Sequence, residues 1–480
     1  MVLLLNSKMP GIQLNNLHIF SNNSAYFFYD IKNNRIIAVN NAKIFHKLKK
    51  ALQNKITVKT KADLKNNKIL DEYLYLKKMS EQKEKVFNTN DFLKKNPFTS
   101  KITLMVTQNC NLNCVYCYGG ESGTYGQENK KFMTKEIAKK AIKLLIDRNK
   151  KSKHYEITFF GGEPLLKISL IKYVMKYCRD NYPDKNFIYN MTTNGTLIND
   201  EVIKIFKQNP ISLLMSIDGP KEIHNYNIKL RSGAGSFNLI IKNIKLLKKN
   251  NIKFSIRSTL DDQFSHEYSN IAKYFLKLGA NNIFISRTCD YDENSNLLKI
   301  DIEKDKKKAK YVNEYNNKVL DELLSGKKPK SVPFFSLLER IHNATKDLMG
   351  CGFLRGATAV STDGSLYICH RFVGIDDFKF GDVNNGIDYN VIKSISKKLD
   401  NATNQCQQCF AKNICKRSCI RNIAYYDKFA PFNEDDCDLM KDMIEFYLYA
   451  YYKIKKERSG LLARFNPQNN KNRGNSYSEK

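Results

Sequence analysis

The chain of 480 residues has no tryptophan, only 10 prolines and far fewer acidic than basic side chains. It has no apolar run near the roughly 20 residues that a membrane-spanning helix needs, and its apolar start is too short for a signal peptide. We therefore expect a cytoplasmic protein without a membrane partner. The scarcity of proline and the 42% of hydrophobic residues also exclude a fibrous or largely disordered chain.

The charge is strongly one-sided, because 80 Lys and Arg face 48 Asp and Glu, which gives a formal net charge of +32. Such a balance raises nucleic acid as a partner. However, most of the positive charges are lysines dispersed among Asn and Ile, without the Arg-rich or Gly-aromatic clusters of a nucleic-acid surface. Nucleic acid is therefore an unlikely partner, and a preference for an acidic peptide stays open.

The 12 cysteines are the most informative residues. Disulfides do not persist in a reducing cytoplasm, so metal ligation or redox chemistry is the better interpretation. The isolated Cys178 and Cys289 are expected to be buried apolar residues. The others form two groups, Cys110, Cys114 and Cys117 in the first, and Cys351, Cys369, Cys406, Cys409, Cys415, Cys419 and Cys437 in the second.

The hydrophobic pattern predicts an α/β fold. From residue 101, six candidate strands alternate with amphipathic helical segments, which is typical of a parallel sheet with crossover helices and here of a partial (β/α)6 barrel. Before it, AYFFYDI and RIIAVN predict a hairpin, and AKIFHKLKKAL and ILDEYLYLKKM predict helices. The predicted parts are a small α+β module at 1–95, the partial barrel at 96–300, a helical linker at 301–345, a Cys-rich domain at 346–457 and a disordered basic tail at 458–480.

Cys110-x3-Cys114-x2-Cys117 directly follows the first barrel strand, at the end where α/β barrels hold their active sites. Three thiolates supply three corners of a [4Fe–4S] cluster and leave one iron open for another ligand. A structural zinc ion is the alternative, and it would require a fourth ligand nearby.

This spacing, with the aromatic Tyr116 before the third cysteine, resembles the cluster loop of the radical S-adenosylmethionine (SAM) superfamily. The resemblance implies that Cys110, Cys114 and Cys117 are catalytic cluster ligands and that SAM chelates the open iron. It further implies that an electron, supplied by a donor of the flavodoxin or ferredoxin type, cleaves SAM to a 5′-deoxyadenosyl radical, which abstracts a hydrogen atom.

Motifs at the ends of later strands extend the resemblance. Gly161-Gly162-Glu163-Pro164 resembles the family's GGEP motif, in which the Glu carboxylate engages the SAM amino group. By the same resemblance, Arg257 pairs with the SAM carboxylate. The alternative for these residues is an ordinary strand-to-helix turn. Further cofactor contacts implied by resemblance are Thr193 and Asn194 after the third strand, and Ser216 and Asp218 after the fourth.

The second cysteine group resembles the SPASM extension of radical SAM enzymes, which carries two auxiliary [4Fe–4S] clusters, so the resemblance implies three clusters in all. It assigns Cys406, Cys409, Cys415 and Cys437 to one auxiliary cluster and Cys351, Cys369 and Cys419 to the other. The second set lacks a fourth cysteine. Either Asp347, His370 or Cys289 completes it, or one iron stays open for a substrate thiolate. A pair of zinc sites is the alternative.

The N-terminal module weakly resembles the winged-helix-like leader-recognition element of enzymes that modify ribosomally made peptides. Such an element would bind the leader of a precursor peptide by strand addition; a packing module without a ligand is the alternative. We therefore predict a radical SAM/SPASM peptide maturase, most concretely one that forms thioethers. The alternatives are a formylglycine-forming oxidase like the anaerobic sulfatase maturases, and a non-catalytic zinc- or cluster-bearing binding protein.

Overall fold

The structure is a computed structural model. It describes residues 11–22, 25–53, 67–81, 100–117, 119, 131–287, 302–329, 332–343, 358–415, 419, 423–424 and 434–465. Cys351, Asp347 and Cys289, which the sequence suggested as auxiliary ligands, lie outside these residues. Within these ranges, no helix combines the length and the apolar character that crossing a membrane would take.

The N-terminal module is an antiparallel four-stranded sheet, covered on one face by two helices. The predicted hairpin is confirmed, because Tyr29 faces Ile36 across the turn at 31–34. Both predicted helices are confirmed as well. The first hairpin was not predicted, although Asn15, with its positive φ of 48°, separates two short apolar runs. The elements are β1 Ile12–Leu14, β2 Leu17–Asn22, β3 Ala25–Asp30, β4 Arg35–Val39, α1 Ala42–Gln53 and α2 Asn67–Glu81.

All six predicted barrel strands are present and parallel, in the order β12-β11-β9-β8-β7-β5. Two short strands, β6 and β10, form a separate ribbon over the open end. The elements are β5 Lys101–Thr107, β6 Leu112–Cys114, α3 Lys135–Arg148, β7 His154–Gly161, α4 Ile168–Asn181, β8 Asn186–Thr193, α5 Asp200–Gln208, β9 Ile211–Ser216, α6 Lys221–Asn227, β10 Ile228–Leu230, α7 Phe237–Lys249, β11 Phe254–Leu260, α8 Tyr268–Leu278 and β12 Ile283–Arg287.

Side chains alternate along the barrel strands, as a strand with two different faces requires. Those facing the helices, such as Ile157 and Phe159 on β7, are fully buried in the main core. Those facing the inside of the partial barrel are half-buried and often polar. There Glu156 forms an ion pair with Lys101 (2.8 Å) and accepts a hydrogen bond from Asn190 (2.8 Å). The concave face is therefore polar and partly accessible.

The C-terminal part extends the barrel sheet. β13 pairs in parallel with β5, and three antiparallel strands follow, so the sheet has ten strands. The sequence did not predict this extension. Gly364, with φ 91°, makes the tight turn between β13 and β14. The elements are α9 Ile302–Leu324, α10 Val332–His342, β13 Thr358–Val360, β14 Ser365–Tyr367, β15 Lys379–Asp382, β16 Gly386–Ile387, α11 Tyr389–Ala402 and α12 Glu434–Glu457.

The N-terminal sheet shares a second core with the C-terminal helices. Phe20 and Phe27 of this sheet pack with Phe334 of α10 and Ile444 of α12. His18 of β2 hydrogen-bonds Glu445 of α12 at 2.8 Å, and both side chains are buried. The module is therefore built into the rest of the molecule, and the aromatic helix α12 packs against the protein.

The predicted disorder from Arg458 onward is wrong for the first residues of that tail. Ser459–Phe465 forms a 3-10 helix that buries Leu462 and Phe465 in the second core. These two side chains are three residues apart, so they lie on one side of a helix with three residues per turn. Arg464 stacks on Phe335 at 3.8 Å. The spacing of Leu462 and Phe465 therefore predicts the structure of this segment better than the polar composition of the whole tail does.

Candidate active site

The first cysteine group lies in a loop at the carboxyl end of β5, as predicted. Its middle part, β6, pairs with β10, which places Cys114 opposite Ile228. Cys110 and Cys114 are half-buried and Cys117 is exposed. The β6–β10 ribbon, which the sequence did not reveal, therefore holds the loop against the turn after β9.

The sulfur environment tests whether a cluster fits this loop. Burial raises the pKa of the Cys110 thiol to about 12 and that of Cys114 well above its usual value, and each of these thiols lies in the field of Cys117. Among the described residues, no three His, Cys, Asp or Glu side chains converge on a single ion. A [4Fe–4S] cluster binds each thiolate through a different iron, and its positive irons offset the cost of ionising buried thiols. The donor set therefore fits such a cluster.

The two glycines of the GGEP motif allow the turn after β7 to lie against the cluster loop. A Cβ on Gly161 would stand 2.1 Å from the carbonyl oxygen of Thr107, and one on Gly162 would stand 2.2 Å from that of Asn109. Instead, the backbone N–H of Gly162 donates to Thr107 (3.0 Å), and that of Glu163 donates to Asn109 (2.8 Å). Only glycine permits this approach, so the motif fixes the start of the cysteine loop.

The carboxylate of Glu163 joins the ends of β7 and β8. It is fully buried and accepts hydrogen bonds from the backbone N–H of Leu165 (3.0 Å), the hydroxyl of Thr193 (2.7 Å) and the backbone N–H of Asn194 (2.7 Å). Burial raises its pKa to about 7, while these donors oppose the rise. Glu163 also caps the 3-10 helix that begins at Pro164. The hydroxyl of Thr193, which was predicted to contact the cofactor, thus donates its hydrogen bond to Glu163.

A polar network missed by the sequence analysis ties the cluster loop to the end of β8. The side-chain amide of Asn194 donates to Asn111 (3.0 Å) and approaches the Cys110 sulfur (3.9 Å). Asn111 in turn donates to the hydroxyl of Thr196 (2.8 Å). The only sequence feature that could have indicated this network is the short polar residue Asn111 directly after Cys110.

Asp218 holds Tyr116, the aromatic residue before the third cysteine of the loop. The Tyr116 hydroxyl donates to its carboxylate (2.7 Å), and the backbone N–H of Thr259 donates to the other oxygen (2.9 Å). Asp218 is 1% exposed, and burial raises its pKa to about 7. Its backbone N–H donates to Nδ1 of the buried His224 (3.3 Å), which nothing in the sequence singled out. Asp218 therefore positions the cluster loop.

Ser216 and Arg257 are neighbours on the paired strands β9 and β11, on the concave face. Arg257 is exposed, so its guanidinium is accessible to a ligand at the open end. His370, which follows Cys369, packs on Phe160 of β7 with ring centroids 4.4 Å apart. Burial, with help from Arg371 and Arg257, lowers the pKa of His370 to about 3. The Cys369 region therefore borders the open end of the barrel.

The described cysteines of the second group fall into two neighbourhoods. Arg371 links Cys369 with Cys419, since its backbone N–H lies 3.5 Å from the first sulfur and its Nη1 lies 3.1 Å from the second. Farther from the barrel, the loop from Cys406 to Cys415 packs against the N-terminal sheet, where His18 stacks on Phe410. Cys409 and Cys437 both act electrostatically on Lys441: burial lowers the pKa of Lys441, but Asp438 and these two cysteines together raise it. The assignment of these cysteines to two auxiliary clusters stays a prediction.

Comparisons with known proteins agree with this geometry. Residues 104–275 match the family model of the radical SAM superfamily. The uncharacterized protein MJ0907 of Methanocaldococcus jannaschii is 35% identical over 182 residues, which cover 38% of this chain and 60% of that protein. A cysteine-type anaerobic sulfatase-maturating enzyme of Clostridium perfringens (strain 13 / Type A) is 26% identical over 388 residues, covering 75% of this chain and 98% of that enzyme.

Two solved structures share the fold. The enzyme anSMEcpe with bound AdoMet has a TM-score of 0.63 and 22% identity, over 76% of this chain and 97% of that one. Streptococcus suis SuiB bound to precursor peptide SuiA has a TM-score of 0.52 and 15% identity, over 88% of this chain and 98% of that one.

The chain has a six-stranded parallel half-barrel with a three-cysteine loop at its carboxyl end, and its homologues are enzymes. It is therefore an enzyme, and the alternative of a non-catalytic binding protein is not supported. Residues 104–275 form a radical SAM domain, as the motifs of the chain predicted. A radical SAM domain implies SAM and one [4Fe–4S] cluster as cofactors.

Proposed function

We propose that this enzyme is a radical SAM/SPASM maturase that modifies a ribosomally made precursor peptide and forms a thioether cross-link in it. The observation that carries the proposal is the position of Cys369 and Cys419, of the second cysteine group, beside the barrel mouth. There Cys369 and Cys419 meet at Arg371, and the neighbouring His370 packs on Phe160, one residue before the GGEP turn. A reactive thiol of a substrate bound at this mouth would lie between the two groups of cysteines.

The residues of the chain divide the work at the barrel mouth. Cys110, Cys114 and Cys117 would hold the cluster that, when loaded, supplies the electron for cleaving SAM. Glu163 and Asn194 line the turn nearest Cys110, where a cationic amino group would meet a buried carboxylate. The exposed Arg257 offers two parallel N–H donors to a carboxylate. The polar concave face below would hold the peptide segment that is modified.

The N-terminal sheet supports a leader peptide as partner. Within the described residues its edge strands, β1 and β4, are each paired on one side only, so either edge offers backbone groups to an extended peptide. The net charge of +32 favours an acidic leader. The match to SuiB bound to precursor peptide SuiA covers 88% of this chain, whereas the match to anSMEcpe covers 76%.

A second candidate is the oxidation of a protein Cys or Ser to formylglycine. The observation that favours it is the similarity to the sulfatase-maturating enzyme of C. perfringens across nearly the whole of that enzyme. Both candidates need the same barrel and a substrate thiol or hydroxyl at its mouth. They differ in the substrate, and the chemistry of the product separates them.

The first test is the iron content of anaerobically purified enzyme, beside a variant with Cys110, Cys114 and Cys117 changed to Ala. We expect about twelve irons per chain in the wild type and about eight in the variant, as three [4Fe–4S] clusters require. Incubation with SAM and dithionite should release 5′-deoxyadenosine from the wild type only. Bound zinc with little iron, unchanged after cluster reconstitution, would refute the auxiliary clusters.

The second test identifies the substrate by mass spectrometry. The enzyme is incubated anaerobically with a Cys-containing precursor peptide encoded beside it and, separately, with a sulfatase peptide carrying the Cys or Ser that is oxidised. A thioether removes a pair of hydrogen atoms from the precursor and makes its cysteine resistant to alkylation. Formylglycine instead introduces an aldehyde that reacts with hydrazides. The aldehyde alone would refute thioether formation.

A further inference from the structure

Arg371 makes contacts that no sequence motif assigned to it. It is the second residue of the 3-10 helix His370–Phe372, and the sulfur of Cys369 caps this helix. The backbone N–H of Arg371 lies 3.5 Å from that sulfur. Its guanidinium reaches in the other direction, and Nη1 donates to the sulfur of Cys419 at 3.1 Å. One residue thus contacts two sulfurs that are fifty positions apart in the chain.

We propose that Arg371 is a positioning residue that sets the reduction potential of the auxiliary cluster held by Cys369 and Cys419. The inference rests on the proposed auxiliary cluster and deepens it, because it states how this chain prepares that site to accept electrons. Arg371 acts through the two cysteines and is therefore not itself a ligand.

The physical reason is the charge of a reduced cluster. Each added electron makes the cluster and its thiolates more negative, and a nearby fixed positive charge stabilises the reduced form. Hydrogen bonds to the sulfurs act in the same direction. Arginine is suited to this role because it stays protonated and is more weakly hydrated than lysine, so it tolerates a half-buried position.

The position of Arg371 near the barrel explains why the potential of this cluster would matter for the reaction. His370 lies between Arg371 and the barrel, where it packs on Phe160 at 4.4 Å, and Arg257 of β11 acts on the same imidazole. The Cys369–Cys419 neighbourhood is therefore the part of the second cysteine group that borders the SAM site. Removal of an electron from a substrate radical formed at the mouth would require an acceptor of raised potential there.

The test measures the potential rather than turnover. The parent is the full chain with Cys110, Cys114 and Cys117 changed to Ala, so that only auxiliary clusters contribute to the EPR spectrum. In this parent, Arg371→Gln removes the charge and Arg371→Lys keeps it without the fork of N–H groups. Arg179→Gln is the matched control, because Arg179 is exposed on α4, where its guanidinium contacts Asn209 and Asp180. Each protein is titrated with dithionite under EPR.

We expect one of two auxiliary signals to become harder to reduce in Arg371→Gln, by tenfold or more in the reduction equilibrium, which is about 59 mV for one electron. Arg371→Lys should shift the same signal less, and Arg179→Gln should shift neither. Unchanged potentials in Arg371→Gln with full iron content would overturn the role of Arg371. A parent without auxiliary iron would instead overturn the auxiliary cluster. If the Gln variant loses iron, Arg371→Met, which also removes the charge, is titrated in its place, and an unshifted auxiliary signal there refutes the role of Arg371.

Discussion

Gly162→Ala tests whether the GGEP turn acts by close backbone approach. The new Cβ would stand 2.2 Å from the carbonyl oxygen of Asn109 and 3.0 Å from the Cβ of Cys110. Ordinary contact begins at 3.4 Å, so the two backbone segments must separate by 3.4 minus 2.2, or 1.2 Å. That movement breaks the hydrogen bond from the Glu163 N–H to Asn109 (2.8 Å) and displaces the first cluster ligand.

The expected cost combines overpacking, about 1–3 kcal/mol, with a lost hydrogen bond, about 1 kcal/mol. The melting temperature should fall by about 1 °C for each kcal/mol, because a chain of 480 residues has an unfolding entropy of about 1 kcal/mol/K. A misplacement of about 1 Å can lower a rate about 100-fold, so release of 5′-deoxyadenosine should fall far more than stability. Gly460→Ala is the control, because a Cβ there meets no described atom within 4 Å. Wild-type iron content, melting temperature and rate in Gly162→Ala would refute the reasoning.

Three further predictions follow from buried contacts. Asp218→Ala leaves the Tyr116 hydroxyl and the Thr259 N–H without their acceptor, so we expect a loss of about 1–3 kcal/mol per orphaned group in urea unfolding, and less for Tyr116→Phe; equal losses would contradict the anchor. Burial lowers the pKa of His224 from 6.5 to about 4, so the unfolded chain takes up its proton first as the pH falls. The stability that neutral His224 permits is present above pH 6.5 and is lost towards pH 4, by about 3 kcal/mol. The difference between wild type and His224→Gln in urea unfolding should show this slope, and a constant difference would refute it. Glu445→Ala should cost about 2–3 kcal/mol, because it removes the 2.8 Å hydrogen bond between Glu445 and His18, whose side chains are both buried; a double-mutant cycle with His18→Ala that is purely additive would exclude their coupling.

Most of the barrel was predictable because its signals are local. Each strand, such as 155–160 with its alternating apolar residues, carries its own period, and the right-handed crossover rule then limits the topology. The cysteine loop and the GGEP turn are contiguous motifs, so the sequence alone located them. The residues that secure them have no such motif: Asn111 reaches Thr196 across 85 positions, and His224 is a single buried histidine beside Asp218.

The sequence by itself determined the class of this enzyme, because three thiols in one loop, glycines at one strand end and alternating strands and helices depend on residues that are near each other in the chain. Only the tertiary structure decided which side chains hold the cysteine loops in place. Asp218 anchors Tyr116 across 102 positions, β13 extends the barrel sheet beside β5, and Arg371 brings Cys369 to Cys419. Such contacts arise when packing brings distant segments together, and the burial that then fixes each pKa and each hydrogen bond is a property of the folded chain.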